Sequence, residues 1–356
     1  MTKGRETMQA HRQTLDTPAP RPVAAEAPAL EARGLSIALG AGVMATPVVH
    51  DVSFSLRRGE ILGLVGESGA GKSLIGAALT GIMRDPARVS GGAVLLDGGR
   101  IDQLSGRALR AVRGRRIGTI FQDPLTSLNP LMTIGAQLVE TIRSHKAMTR
   151  RAARARAVAL LEEVGIPDAP VRQGQYPHQF SGGMRQRAVI ALALCADPDV
   201  IVADEPTTAL DVSVQAQILE LLVALCRGRG MAMILITHDM GVISRVADRV
   251  AVLYAGRIAE LGGAREVMHA PMHPYTRGLM RCIPRIGVMA ETLPQIEGAM
   301  PRPGELPPGC AFAPRCRSAG SDCSAAPPPL RDADGRTVAC LHPLPRGPQP
   351  GTEALS

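Results

Sequence analysis

Gly66-Glu67-Ser68-Gly69-Ala70-Gly71-Lys72-Ser73 has the spacing G-x-x-x-x-G-K-S, the pattern of a loop that cradles phosphates. The run before it, Ile61-Leu62-Gly63-Leu64-Val65, is short, apolar and branched, as a buried strand is. The run after it, Leu74 to Leu79, suits a helix. Strand, loop and helix in that order are the context the pattern requires, and they set it apart from a Gly-rich turn that binds nothing. The glycines let backbone N–H groups turn inward around phosphate oxygens, and the helix N-terminus adds positive potential. Lys72 is placed to reach the β- and γ-phosphates of a nucleotide. The Ser73 hydroxyl is placed to sit on Mg²⁺, which keeps most of its other positions for water and phosphate.

The 356 residues allow one large domain or two modest ones. No apolar run approaches the roughly 18–20 residues that span a bilayer. The N-terminus lacks the apolar centre of a signal peptide, so a cytoplasmic protein is expected. The net charge of +8 is carried almost entirely by arginine, the lysines being Lys3, Lys72 and Lys146. A basic balance suits nucleic acid, anionic lipid or nucleotide partners, but the arginines are scattered and the bias reads mainly as composition. Seven cysteines in a cytosolic chain argue against a disulfide framework.

Along the chain, residues 1–28 are rich in Pro, Ala, Arg and Thr without periodicity, which predicts a disordered extension. Strands are expected at Leu35–Leu39, Val49–Leu56, Ala93–Leu96 and Ile117–Phe121, the last ending at Gln122. Residues 133–165 are helical in pattern, and their Arg150, Arg151, Arg154 and Arg156 read as a solvated face or an anionic-lipid contact. A helix opens after Phe180-Ser181-Gly182-Gly183 and runs to about Cys195. Asp199–Ala203 is a buried strand ending in Asp204-Glu205, and Met233–Ile236 is another, ending at Thr237-His238-Asp239. Between them Val214, Ile218, Leu221, Leu222 and Leu225 form a helical stripe. Short strands follow at Arg249–Tyr254 and Ile258–Leu261. Strands alternating with helices imply an α/β fold with a largely parallel sheet covered on both sides. Beyond about Ile283 prolines crowd in and periodicity is lost, which predicts a separate appendage outside the sheet.

The chemistry gathers at strand ends. Asp204 is suited to hold Mg²⁺ through its water shell, and Glu205 to take a proton from the attacking water or orient it. His238 ends a second buried strand, on the edge where such sheets carry ligands, and is read as a γ-phosphate contact. Gln122 ends a third, within reach of Mg²⁺ and the water. Three strand ends and a phosphate loop converging on one edge are more specific than any one of them.

The set Gly66–Ser73, Gln122, Ser181-Gly182-Gly183-Met184-Arg185-Gln186, Asp204-Glu205, Ala209-Leu210-Asp211 and His238 resembles the ATP-binding-cassette (ABC) ATPases. It follows the order of their Walker A, Q-loop, signature, Walker B, D-loop and H-loop elements, over about residues 29–279. Phe121–Pro130, Tyr176-Pro177-His178-Gln179-Phe180, His273-Pro274-Tyr275-Thr276 and the tail from Gly309 to Cys316 are similar to the ATP-binding subunits of bacterial oligopeptide/dipeptide importers. The resemblance implies a phosphate-loop NTPase cassette at 29–282. Its parts would be a RecA-like parallel core sheet, an antiparallel β subdomain and a helical signature subdomain at about 125–190. A Cys/Pro-rich appendage at 283–356 would follow.

It further implies ATP held by Gly66, Glu67, Ser68, Gly69, Ala70, Gly71, Lys72 and Ser73 in a head-to-tail cassette dimer. Ser181, Gly182, Gly183, Gln186 and Asp211 would serve ATP at the dimer interface, with Ser181 and Gly183 on the partner's nucleotide. Ser73, Gln122 and Asp204 would hold Mg²⁺, with Glu205 as catalytic base beside His238 and Gln122. The partners implied are a second, related but different ATPase subunit, two membrane permease subunits and an extracytoplasmic peptide-binding protein, with no nucleic acid. The location implied is the cytoplasmic face of the inner membrane. Two positions depart from the pattern. Leu39 stands where the family places an aromatic residue against adenine, and Gln179 stands where a glutamate is common.

Cys310, Cys316, Cys323 and Cys340 follow C-x₅-C-x₆-C-x₁₆-C. Structural zinc more often draws on C-x₂₋₄-C pairs, and four thiolates also hold iron–sulfur clusters. The resemblance implies a 4Fe–4S cluster; zinc and structural thiols remain alternatives. Cys195, Cys226 and Cys282 are isolated and expected only to pack. The alternatives in function are a soluble cassette acting on ribosomes or DNA, a cassette that binds ATP without splitting it, and an importer of the same type carrying nickel or sugars.

Overall fold

The computed structural model describes residues 27–42, 45–208, 210–283, 295–333 and 335–345. All but the last two residues of the expected N-terminal extension lie outside them, as does Ala209.

The chain opens with β1 (Leu30–Leu39), β2 (Thr46–Leu56) and β3 (Ile61–Val65), and then α1 (Lys72–Thr80). Next come β4 (Ala87–Leu96), β5 (Gly99–Arg100), α2 (Gly106–Val112) and β6 (Ile117–Ile120). Five helices follow: α3 (Pro124–Ser127), α4 (Ile134–His145), α5 (Arg150–Glu163), α6 (Ala169–Arg172) and α7 (Gly182–Leu194). The helical stretch predicted at 133–165 is therefore two helices. Thr133 and Thr149 each cap the start of one, accepting from the N–H of Ala136 and Ala152. The chain then alternates through β7 (Val200–Asp204), α8 (Val212–Arg229), β8 (Ala232–Thr237), α9 (Met240–Val246) and β9 (Arg249–Tyr254). It closes with β10 (Arg257–Gly263), α10 (Ala264–His269), α11 (Pro274–Arg281), β11 (Arg331–Ala333) and β12 (Arg336–Val338).

Two sheets result. One is antiparallel, in the order β2-β1-β4-β5; the other has eight strands, in the order β11-β12-β10-β9-β3-β8-β7-β6. From β9 to β6 the pairing is parallel. Strands in such a sheet are buried on both faces and read as unbroken apolar runs, as β3 and β8 do. Because side chains alternate across a strand, each run feeds two cores. Ile61, Val65, Ile201, Ala203, Met233 and Leu235 face the helices α4, α5, α7 and α8. Leu62, Leu64, Val200, Val202, Ile234 and Ile236 face α1 and the antiparallel sheet.

The tail corrects one expectation. It is not separate from the sheet: β12 pairs antiparallel with β10, Glu260 opposite Val338 and Leu261 opposite Thr337, and β11 extends the edge. Arg336 secures the junction. Its guanidinium donates to the carbonyls of Glu266 and Ala270 at the end of α10, at 3.1 and 2.9 Å, where a cation is favoured. It also lies 3.8 Å from the buried carboxylate of Glu260, which accepts the N–H groups of Met272 and His273 at 3.0 Å each.

His273 sits at the same junction, buried and capping α11. Its Nδ1 accepts the N–H of Tyr275 at 3.0 Å, so that nitrogen carries no proton. Burial pushes the imidazole down from 6.5 to about 4. The folded value lies below the unfolded one, so the unfolded chain takes up the proton first as pH falls. The stabilisation is complete above about pH 6.5 and is lost towards pH 4, about 3 kcal/mol over the window. Thermal unfolding followed between these limits is expected to show a steeper fall in Tm for the wild type than for His273→Gln. Parallel profiles would remove His273 as the source.

Candidate functional site

The phosphate loop leaves β3 at Gly66 with φ 154°, and a Cβ there would lie 2.3 Å from the carbonyl oxygen of Leu253 on β9. Only glycine lets the chain pass. Gly71, at φ 96°, caps α1 without any side-chain hydrogen bond, and the first turn carries no acid. The leading N–H groups of a nine-residue helix are thus left for an outside acceptor. Lys72 is buried, and its Nζ donates to the carbonyls of Gly66 at 2.7 Å and Glu67 at 3.0 Å. Burial lowers its pKa, while Glu205, Asp204 and Glu67 act to raise it.

Opposite the loop, strands β8, β7 and β6 end side by side. The Ser73 hydroxyl donates to Asp204 Oδ1 at 3.3 Å. Glu205 follows in the left-handed region, φ 46°, its N–H bonded to the carbonyl of Ile236 at 2.9 Å. Such a conformation strains any residue but glycine, and here it aims the carboxylate across the strand ends. Glu205 accepts from Gln122 Nε2 at 3.1 Å and Thr208 Oγ1 at 2.9 Å, and lies 3.1 Å from Nδ1 of His238.

The two neighbouring acids are driven in opposite directions. Burial pushes Asp204 up; the charge of Glu205 adds to this, and Ser73 and Lys72 offset only part of it. Burial would raise Glu205 as well, but the hydrogen bonds from His238 and Thr208, with the charges of His238 and Lys72, hold it below the usual carboxylate value. Asp204 is a half-buried acid beside the Ser73 hydroxyl, and the Gln122 amide lies on the neighbouring Glu205. That hard oxygen donor set fits Mg²⁺.

The structure therefore joins Gly66–Ser73, Gln122, Asp204, Glu205 and His238 in one cluster. Among the described residues no hydrogen bond links this cluster to Ser181–Gln186 or Asp211. Ser181 caps α7 and accepts the N–H of Met184 at 3.3 Å. A Cβ on Gly183 would meet Val214 of α8 at 2.8 Å, and one on Gly182 would meet Leu210 at 3.5 Å. Gln186 is buried, its Nε2 without a hydrogen-bond partner among the described residues. Asp211 caps α8 through the N–H of Val214 and accepts the Ser213 hydroxyl. Gln179 has a local task, accepting the N–H of Tyr176 at 2.8 Å. Leu39 is half-buried at the end of β1, paired with Thr46 and Ala87.

Three residues at the site escaped the sequence reading. Thr208 bonds Glu205; Tyr275 and Arg315 hold Glu67, accepting its N–H at 2.9 Å and pairing with its carboxylate at 3.0 Å. Tyr275 and Arg315 lay inside motifs already noted, His273–Thr276 and Gly309–Cys316, but nothing local tied either to the loop.

A second site lies in the tail. Cys310, Cys316, Cys323 and Cys340 line one small pocket, partly open to solvent, with Phe312 and His342. Burial raises the Cys310 and Cys316 thiols, and burial followed by the charges of the other three raises Cys340 to about 11. Asp322, Cys323 and His342 present ligand atoms within 4.8 Å of one another, a grouping the cysteine spacing did not suggest. Cys195 and Cys226 are buried, and burial lifts both thiols to about 12; they pack, as expected.

The pattern of the ABC transporter family matches residues 49–208, and that of the oligopeptide/dipeptide transporter C-terminal region matches residues 259–323. The dipeptide transport ATP-binding protein DppD of Bacillus subtilis is 47% identical over 294 residues, 82% of this chain and 88% of that protein. The oligopeptide transport ATP-binding protein OppD of Escherichia coli is 48% identical over 296 residues, 83% and 88% of the two chains. Among solved structures, a dimeric post-hydrolysis state of the ATP-binding cassette MJ0796, bound to ADP and Pi, superposes with a TM-score of 0.59 at 26% identity. It covers 66% of this chain and 99% of that one. The cassette cbiO1 of Clostridium perfringens gives 0.60 at 28% identity, covering 68% and 91%. Identity approaching one half over most of the length, with the cassette and the specialised C-terminal region in the same order, settles membership: the chain belongs to the ATP-binding subunits of oligopeptide/dipeptide-type ABC transporters and is an ATPase of that family.

Proposed function

We propose that this chain splits ATP to drive the import of short peptides, from the cytoplasmic face of the inner membrane. The cargo reading rests on the relatives named for dipeptide and oligopeptide transport and on the C-terminal region, which also favours an importer over a cassette acting on ribosomes or DNA. Among the described residues no helix is long and apolar enough to cross a membrane, so the gate would belong to two permease subunits. Phe121, Leu125 and Leu131, exposed around and after Gln122, offer the apolar surface on which those subunits would dock. A peptide-binding protein outside the membrane would deliver cargo.

The observation that carries the mechanism is the bonding around Glu205. With ATP seated on the N–H groups of α1, Lys72 turns from the carbonyls of Gly66 and Glu67 to the outer phosphates. Ser73, Asp204 and Gln122 would hold Mg²⁺, which would supply charge neutralisation to the phosphates. Glu205, ionised and fixed by Thr208 and Gln122, orients the attacking water and accepts its proton. His238 contacts the γ-phosphate from the same edge. Ser181 and Gly183, joined to this cluster by no hydrogen bond among the described residues, would close over ATP bound by a second cassette, a related but different subunit. In the assembled transporter Glu205→Gln is expected to lower ATP turnover by about 10²–10⁴ while ATP still binds, and Lys72→Ala to lose ATP binding itself. Equal turnover of wild type and Glu205→Gln would remove Glu205 from the mechanism.

The cysteine pocket is proposed to hold a thiolate-bound metal group, with Cys310, Cys316, Cys323 and Cys340 as ligands and a 4Fe–4S cluster as the occupant. All four thiols line one pocket, yet among the described residues the ligand atoms gathered within 4.8 Å are Asp322, Cys323 and His342 rather than the cysteines. A single tetrahedral zinc would want its four sulfurs about 3.8 Å apart, from Zn–S bonds of about 2.3 Å; a cubane spaces them more widely. The group would supply a cross-link to a tail with little core of its own. Anaerobically purified protein is expected to show broad visible absorption that Cys316→Ser removes. Colourless protein with one zinc per chain would assign zinc, and metal-free protein would return the thiols to a packing role.

A further inference from the structure

Glu67 is the second residue of the phosphate loop, and it is gripped from outside the cassette motifs. Its backbone N–H donates to the Tyr275 hydroxyl at 2.9 Å, and its carboxylate pairs with Arg315 at 3.0 Å, across 248 positions of sequence. Arg315 is held in turn. Its Nε donates to the carbonyl of Glu297 at 2.9 Å, and its terminal nitrogens to the carbonyl of Ile296 at 3.2 Å and the Tyr254 hydroxyl at 3.3 Å. The guanidinium lies over the rings of Tyr254 and Phe312, 5.8 and 5.9 Å from their centroids. Its side chain is 7% exposed. Met300, on the same tail, comes so close to the loop that a Cβ on Gly69 would meet its Cε at 3.1 Å.

We propose that Arg315 and Tyr275 are positioning residues for the phosphate loop, through which the C-terminal extension sets the affinity for ATP. Two physical arguments meet at Glu67. The first is shape. Lys72 is bonded to the carbonyls of Gly66 and Glu67 and must leave them to reach phosphate. The peptide it releases stays in place because Tyr275 and Arg315 still hold it. The second is charge. Glu67 is an acid in the loop that receives a triphosphate, near enough for its field to act on Lys72. Paired with Arg315 it presents no net charge to the nucleotide; unpaired it repels it. Both arguments concern binding, not the cleavage step at Glu205.

The inference rests on the ATP site proposed above, and its test separates the two. ATP dissociation constants are measured on the full-length chain with a fluorescent ATP analogue, and KM and kcat on the assembled transporter. Arg315→Gln is expected to raise KM and Kd by about tenfold while kcat at saturating ATP stays within about twofold. Adding Glu67→Gln to Arg315→Gln is expected to recover most of the lost affinity, because the unpaired acid is gone. A tail that merely stabilised the fold would make the double variant no better than the single one. Should Arg315→Gln melt well below the wild type, Glu67→Gln is read alone. It leaves the charge of Arg315 beside the loop and is expected to tighten ATP binding; weaker binding would overturn the proposal. Unchanged affinity in Arg315→Gln, or a loss that Glu67→Gln deepens, would overturn it too. Lys72→Ala is the control. If it loses ATP while Arg315→Gln does not, only this inference falls; if it keeps ATP, the site reading falls and takes the inference with it.

Discussion

A buried ammonium is the constraint from which the site follows. Lys72 is 6% exposed, and an ammonium taken out of water is costly unless it is well bonded. Here two backbone carbonyls hold it, and those carbonyls point inward because Gly66 and Gly71 take conformations that other residues resist. Three acids, Glu205, Asp204 and Glu67, surround it at a distance, without a direct ion pair among the described residues. The result is an ammonium held by two carbonyls, with the field of three acids offsetting part of its burial, and no ion pair among the described residues to break when an anion arrives at the start of α1.

That field also explains how adjacent carboxylates come to differ. Asp204 ends β7 within the sheet, where burial dominates and its pKa rises. Glu205 is turned out of the strand direction by its positive φ into a ring of donors, and its pKa falls. Pairs of titratable groups whose surroundings push them apart mark divided labour. In the proposed mechanism that division gives the cation to Asp204 and the water to Glu205. The left-handed backbone at Glu205 is what separates them, so the strain there does work that no choice of side chain could do alone.

Much of this was legible in the sequence, and most of what was not shares one cause. The loop, the strand ends at Gln122, Asp204 and His238, and the buried runs of β3, β7 and β8 are local patterns. A strand that alternates between two cores writes itself as an unbroken apolar run, and a loop that binds phosphate writes itself in glycines. Thr208 escaped three residues from its partner Glu205; the two larger features that escaped are non-local. β11 and β12 are three residues each, too short to carry a period, and their place on the sheet edge depends on Arg336 meeting Glu260 and the end of α10. Likewise the grip on Glu67 comes from residues 208 and 248 positions away. Tyr275 and Arg315 could be seen as family marks but not as partners of the loop.

The tail, read first as an appendage, is better understood as a wall shared by two sites. Phe312 lines the cysteine pocket on one side. On the other its ring meets those of Tyr254 and Tyr275 at 5.2 and 5.4 Å between centroids, edge-on and tilted. His273 packs against the same ring at 5.9 Å. Arg315 follows Phe312 by three residues and Cys316 comes next, so the guanidinium on the phosphate loop and a thiol of the pocket are neighbours along one short turn. A close-packed interior transmits a displacement rather than absorbing it. Whatever fixes the thiols therefore also fixes the ring, and through the ring the residues that hold Glu67. A nucleotide loop needs rigidity that its glycines cannot supply by themselves. The bonds from Tyr275 and Arg315 to Glu67 tie the loop to the tail, and on the proposed reading that tie makes the tail part of the ATP site as well as of the sheet edge it extends.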